Sequence, residues 1–233
     1  MLVTVRLFAT LREQAGRESI ELELPDGATV AQALDALGDG GALGELLERL
    51  PVVMAVNRAY AAGGTVLAEG DELALIPPVS GGGAADADER GAVHARVSAE
   101  ALDPAALSEL VGRAEAGAVV TFQGTTRDVS RLEYEAYAEM AAERIEAILR
   151  DCVERHGLEA AAAEHRTGVV PLGEPSVVVA VSAAHREEAF AGAREAIDRI
   201  KAEAPIWKKE VDEESGSPRS RWVEGAPPPT GDA

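Results

Sequence analysis

The chain has 233 residues, enough for two modest domains with separate cores, and carries a formal net charge of −19 at pH 7. That charge argues against nucleic acid and an anionic membrane surface as partners, since both need basic patches. Apolar residues make up 46% of the chain and aromatic residues only 3%, so cores of Ala, Val and Leu are expected; one cysteine, Cys152, excludes an internal disulfide framework and fits a reducing cytoplasm.

The start, Met1 to Arg6, reads straight into a strand, so no signal peptide is expected, and no apolar run approaches a membrane span. Leu2 to Ala9 alternates, with Val3, Val5 and Leu7 on one face. Thr10 to Ala15 reads as a short helix closed by Gly16. Ser19 to Leu24 is a second strand, followed by a Pro25-Asp26-Gly27 turn. Thr29 is placed to cap a helix whose stripe is Val30, Ala33, Leu34 and Leu37. Leu43 to Leu50 adds a helical turn or two. Val52 to Asn57 is a strand, Tyr60 to Leu67 a loop or weak strand, Glu69-Gly70-Asp71 a turn, and Glu72 to Ile76 the last strand.

That strand runs into Pro77-Pro78-Val79-Ser80-Gly81-Gly82-Gly83. The prolines stop the ladder and the glycines leave a thin chain. Two readings stay open on these residues: an interdomain linker, or a tail slender enough to enter a narrow active site. Residues 83–91 are small and polar and read as linker, so the first domain is placed at 1–82.

The second domain is placed at 92–224, with 225–233 a disordered, low-complexity tail. Ala92 to Val97 is a strand and Ser98 to Val111 a helix with Asp103-Pro104 at a capped start. Gly117 to Gln123 is a buried strand ending in Gly124-Thr125-Thr126-Arg127. Leu132 to Tyr137 is a strand, and Ala138 to His156 a long helix whose apolar stripe includes Cys152. Ala160 to Thr167 and Ser176 to Ala183 are strands flanking a turn at Pro171 to Pro175. In the helix His185 to Glu203, Phe190, Ala193, Ile197 and Ile200 recur at helical spacing. Pro205 ends it, and Ile206 to Val211 and Arg221 to Glu224 are extended.

Three basic clusters stand out against the acidic background: Arg127 past a buried strand, His185-Arg186 opening a helix, and Lys201 with Lys208-Lys209. Each alone reads more readily as solvated surface; together they outline a positive cleft for a phosphate or carboxylate. The four histidines lack metal-ligand spacing, and neither a P-loop nor a Ser-His-Asp signature is present, so no metal and no cofactor is expected.

Over the first domain, Leu7-Phe8-Ala9, Leu11-Arg12-Glu13, Val56-Asn57, Gly70-Asp71-Glu72 and Pro77 to Gly82 together resemble the small sulfur-carrying subunit of molybdopterin synthase (the MoaD type). Over the second, Val119 to Arg127, Leu132 to Tyr137, His165-Arg166-Thr167-Gly168, Ser182 to Arg186, Lys201 to Glu210 and Arg221 to Glu224 resemble its large catalytic subunit (the MoaE type). The resemblance implies an α+β chain: an N-terminal ubiquitin-like β-grasp domain followed by a larger α+β domain. It implies a sulfurtransferase that converts cyclic pyranopterin monophosphate to molybdopterin, taking two sulfurs from a glycine thiocarboxylate. By position that glycine is Gly82.

Carried over residue by residue, the resemblance implies substrate contacts at Thr125, Thr126, Arg127, His185, Arg186, Lys209 and Glu210, with Lys201 and Lys208 catalytic. It also implies a homodimer through the second domain and an adenylating, sulfurating enzyme of the MoeB type acting on Gly81-Gly82. One departure matters: Gly82 is followed by Gly83 and a second domain, so it has no free carboxylate. Cleavage after Gly82 by a processing protease is therefore expected. The readings that compete are a ubiquitin-like modifier precursor and an inactive scaffold.

Overall fold

The computed structural model describes residues 1–38, 42–77, 92–212 and 219–223. The expected tail Gly81-Gly82, the linker at 83–91 and the terminal segment 224–233 lie outside the described residues. The chain divides into two compact units.

In the first unit, strands β1 (Leu2–Leu7), β2 (Ser19–Glu23), β3 (Val53–Val56), β4 (Ala59–Ala61) and β5 (Glu72–Ile76) form one sheet in the order β2-β1-β5-β3-β4. β1 and β5 are parallel and the other pairs antiparallel, which is the β-grasp arrangement. Helices α1 (Ala9–Ala15), α2 (Val30–Gly38) and α3 (Ala42–Arg49) accompany it. Val3, Val5, Leu7, Leu73 and Leu75 meet Val30, Ala33 and Leu37 in the core, as the alternating and helical stripes require. Thr29 starts α2 with a reciprocal cap: its Oγ1 accepts from Gln32 N at 3.4 Å, and its own N–H donates to Gln32 Oε1 at 2.9 Å. The β3–β4 hairpin turns on Asn57 (φ 48°) and Arg58 (φ 72°), the two-residue turn whose twist suits antiparallel strands. Of the loop or weak strand expected over Tyr60 to Leu67, only the start is a strand, the short β4, and the rest is loop.

The second unit holds two sheets. One has the order β6-β9-β11-β7, from β6 (Ala92–Ser98), β7 (Ala118–Thr125), β9 (Leu158–Arg166) and β11 (Pro175–Ala183). The other has the order β10-β8-β12-β13, from β8 (Arg131–Ala136), β10 (Gly168–Pro171), β12 (Ile206–Asp212) and β13 (Arg219–Trp222). Helices α5 (Ala138–His156) and α6 (Arg186–Glu203) cover one face of the first sheet, meeting Ala161, Ala163, Val177, Val179 and Val181. The short α4 (Pro104–Leu110) covers the other through Leu107, against Ala160, Ala162, Val178 and Ala180. Coverage on both faces explains why β9 and β11 are nearly continuous apolar runs.

Three expectations are corrected. The helix expected over Ser98 to Val111 is only Pro104–Leu110. A residue before proline is pushed to extended backbone, and Asp103 (φ −113°, ψ 97°) becomes the cap, accepting from the N–H groups of Ala105 and Ala106. Between the strand expected to end at Thr167 and the turn at Pro171 to Pro175 lies an additional strand, β10, which pairs with β8; Gly168 at φ 72° bends the chain from one sheet to the other. Phe190, placed on the buried stripe of α6, is 63% exposed. The seam runs instead through the small residues Ala189, Gly192, Ala193 and Ala196, with Gly192 so close to Leu158 that a Cβ would lie 2.8 Å from its Cδ1. Cys152 is buried as expected, and burial foremost pushes its thiol up to about 12.

Candidate active site

Of the 22 Lys and Arg residues, the lysines are Lys201, Lys208 and Lys209, and all the others are arginine. The composition therefore marks these positions, a signal that motif reading alone passes over. An ammonium is a compact charge with adjustable protonation, unlike a guanidinium.

Lys201 sits in the last turn of α6, where the helix dipole favours a cation. Its Nζ lies 5.6 Å from the centroid of the Phe122 ring on β7. Two residues further on is Gly124, where a Cβ would stand 2.7 Å from Val177 Cγ1, so no side chain fits. Gly124, Val177 and His165 form one row across the sheet, on the face that carries Phe122. The second sheet closes in through Tyr134, whose hydroxyl donates to Ser176 Oγ at 3.0 Å; Ser176 donates in turn to the Gly124 carbonyl at 3.2 Å.

Lys208 lies directly opposite Tyr134 in the β12–β8 ladder, and opposed residues share a face. Ile206 and Ala136, on that face, pack against the main core, so half-buried Lys208 shares the side of the sheet that carries Tyr134. Lys209 is turned to the other face by the pleat, opposite Glu133 and Trp222, with its Nζ 5.3 Å from the Trp222 ring centroid. Adjacent in sequence, these two lysines do not serve one hollow. Glu210 is opposite Arg221 and accepts from it at 3.1 Å.

β7 extends through Thr125, two residues past its expected end at Gln123, and Thr125 is exposed. Thr126 is 2% exposed and held by main-chain bonds with Glu174 and Gly173, while its buried Oγ1 has no partner among the described residues. Arg127 projects into solvent, 3.8 Å from Asp128. Both belong to the end of the sheet that holds Lys201.

His185 and Arg186 do not. His185 is the N-cap of α6 (φ −131°, ψ 159°) and makes no side-chain capping bond; Arg186 is the first helical residue. From Arg186 to Lys201 is about 22 Å along the helix axis at 1.5 Å per residue. Gly117 sets the start of α6 close to β7, since a Cβ there would collide with the Ala184 carbonyl. Glu187 and Glu188 share that first turn, so the chain's own carboxylates already meet the dipole. Within one chain, then, Lys201 lies over Phe122 on β7, Arg127 follows the end of that strand and Lys208 opposes Tyr134 in the second sheet, while His185-Arg186 stands at the other end of α6.

Comparison with known proteins gives two family matches: the ThiS family over residues 5–82 and the MoaE protein family over residues 97–203. The chain is 50% identical over 116 residues to the molybdopterin synthase catalytic subunit of Oryza sativa subsp. indica, a match covering 47% of this chain and 60% of that protein. It is 40% identical over 124 residues to the molybdopterin synthase catalytic subunit of Thermoplasma volcanium, covering 51% of this chain and 90% of that one. Among solved structures, molybdopterin synthase from Staphylococcus aureus superposes with a TM-score of 0.50 at 33% identity, over 55% of this chain and 96% of that chain.

Proposed function

The chain belongs to the molybdopterin synthase catalytic-subunit family and carries a ThiS-family domain ahead of it, and from that premise we propose that it is a molybdopterin synthase bearing its own sulfur carrier. The reaction is the conversion of cyclic pyranopterin monophosphate to molybdopterin. Two glycine thiocarboxylates each deliver one sulfur, and water cleaves each acyl–sulfur bond so formed, leaving a glycine carboxylate. The observation that carries this reading is Lys201 over Phe122 on one sheet and Lys208 opposite Tyr134 on the other, with Tyr134 tied through Ser176 to Gly124, in a chain that has no accessible cysteine to hold sulfur. A thiocarboxylate on a bare glycine tail supplies a sulfur nucleophile that the second domain lacks.

Lys201 is the group nearest the chemistry, stabilising the anionic acyl intermediate or moving its proton. Lys208, rather than Lys209, anchors the carboxylate of the incoming tail. Arg127 and the polar edge at Thr125 and Thr126 receive the pyranopterin. His185 and Arg186 hold its phosphate by charge-assisted bonds. The length of α6 means that they reach the Lys201 end only from a second copy, so the active unit is a homodimer with two composite sites. Cleavage after Gly82 frees the carboxylate, which an adenylating enzyme of the MoeB type then charges with sulfur.

The test is transfer of sulfur from a thiocarboxylated carrier to the pyranopterin. Lys201→Ala is expected to lower the rate about 100-fold or more, as loss of a proton-transfer group does. Undiminished turnover in that variant overturns the reading. Mixing Lys201→Ala with Arg186→Ala chains is expected to restore about a quarter of wild-type activity, because half the randomly formed dimers hold one intact composite site. No recovery on mixing, with each variant folded and dimeric, rules out sites shared between copies.

A further inference from the structure

His165 has no role in the assignments above. It is 7% exposed and faces the helix side of β9, at the end of the Gly124–Val177–His165 row beneath the Lys201 end of α6. Its Nδ1 lies 2.9 Å from the Arg166 carbonyl oxygen; a carbonyl only accepts, so Nδ1 carries the proton and Nε2 is an acceptor. Nε2 has no hydrogen-bond partner among the described residues. The ring cannot readily turn to exchange the two nitrogens, because Tyr134 packs on it edge-to-face at 4.9 Å and 71°. Tyr134 is itself held through Ser176 to the Gly124 main chain. Burial first, and then the nearby charge of Lys201, lowers the imidazole to about 4, so it is neutral at physiological pH.

We propose that His165 is a positioning residue for Lys201: its Nε2 accepts a hydrogen bond from the ammonium through one water and fixes that ammonium above the Phe122 ring. A carboxylate in this place would also hold the lysine, but it would cancel the positive charge and repel an anionic substrate. A neutral acceptor orients the cation and leaves its charge available. The groups that face the imidazole are Lys201 from α6, Tyr134 from β8 and the Arg166 carbonyl from its own strand. Of these, Lys201 alone is a charged donor. The consequence for turnover rests on the sulfur-transfer reading; the contact itself does not.

With only three lysines in the chain, side-chain NMR of the full-length, lysine-labelled protein resolves Lys201 directly, assigned by its loss in Lys201→Ala. His165→Phe keeps a ring against Tyr134 but deletes the acceptor. His165→Gln keeps an acceptor near the Nε2 position but deletes the ring. The expected result is a displaced Lys201 signal and about tenfold lower kcat at unchanged KM in His165→Phe, with His165→Gln within about twofold of wild type. A Lys201 signal unmoved in His165→Phe overturns the proposal, and so does His165→Gln being the more damaged variant, which marks the ring as mere packing. In the wild-type fold, the Nε2 resonance of His165 is expected to move when Lys201 is replaced by alanine; a static resonance is equally decisive against the contact. Should Lys201→Ala turn over at full rate, the sulfur-transfer reading falls, while the NMR arm still decides the contact.

Discussion

At the scale of single residues, the site depends on groups whose chemistry their surroundings set. His165 is the clearest case, with its pKa lowered from 6.5 to about 4 by burial first and by Lys201 second. The unfolded chain therefore binds this proton before the folded one does. Stability contributed by neutral His165 is complete above about pH 6.5 and falls as the pH drops towards 4, by up to about 3 kcal/mol across that window. The difference in unfolding free energy between wild type and His165→Phe should rise with pH between those limits and be flat outside them. A pH-independent difference would mean that the imidazole is not buried in its neutral form. Glu164 on the same strand is drawn the opposite way from burial by hydrogen bonds from Arg96 and His94, which hold its carboxyl below the ordinary value. One strand thus holds a histidine kept neutral and a carboxylate kept charged, on opposite faces.

At the scale of elements, short polar latches fix what the apolar stripes leave adjustable. In the first unit, Asn57 Oδ1 accepts from Glu72 N at 3.0 Å and its Nδ2 donates to Asp71 Oδ1 at 2.9 Å; Asp71 Oδ2 accepts from Ala68 N at 2.8 Å. These bonds tie the β3–β4 turn to the entry of β5, the strand that leads towards the glycine tail. Asn57→Ala removes two of them and places alanine at φ 48°, so a local loss of about 1–2 kcal/mol is expected. Amide hydrogen exchange of β3 and β4 is the measurement, with about tenfold faster exchange for 1.4 kcal/mol. Unchanged exchange would show that the strands hold their register without the latch. In the second unit, Arg199 bridges Asp151 and Glu203 at 3.0 and 2.8 Å, fastening α6 to α5. The last turn of α6 carries Lys201, so this clamp also sets where the ammonium stands.

At the scale of the whole molecule, a carrier domain and a catalytic domain share one chain, and the proposed chemistry needs a free glycine end between them. Intact-mass measurement of active protein from its own host is expected to find two species separated after Gly82. An active preparation containing only the uncut 24.2 kDa chain would overturn the cleavage step. The second consequence is the composite site, argued from the length of one helix. In the proposed dimer, each site would take Lys201 from one copy and His185-Arg186 from the other.

Much of this was legible in the residues themselves. Alternation marked the strands, a threonine ahead of an apolar stripe marked a helix start, and the two family patterns lay in order along the chain. These are local signals, read within a few residues of one another. What the residues could not reveal is which side chains separated in sequence share a face. Lys208 and Lys209 look like one motif, yet the pleat sends them to opposite sides of a sheet. His185 and Lys201 look like one cleft, yet a helix of 18 residues holds them apart. His165 stood only in a family pattern, without metal-ligand spacing, until ladder register set it in one row with Gly124, beneath the only lysine of α6. Periodicity determines which elements form, and only the pairing of those elements across the fold decides which groups meet.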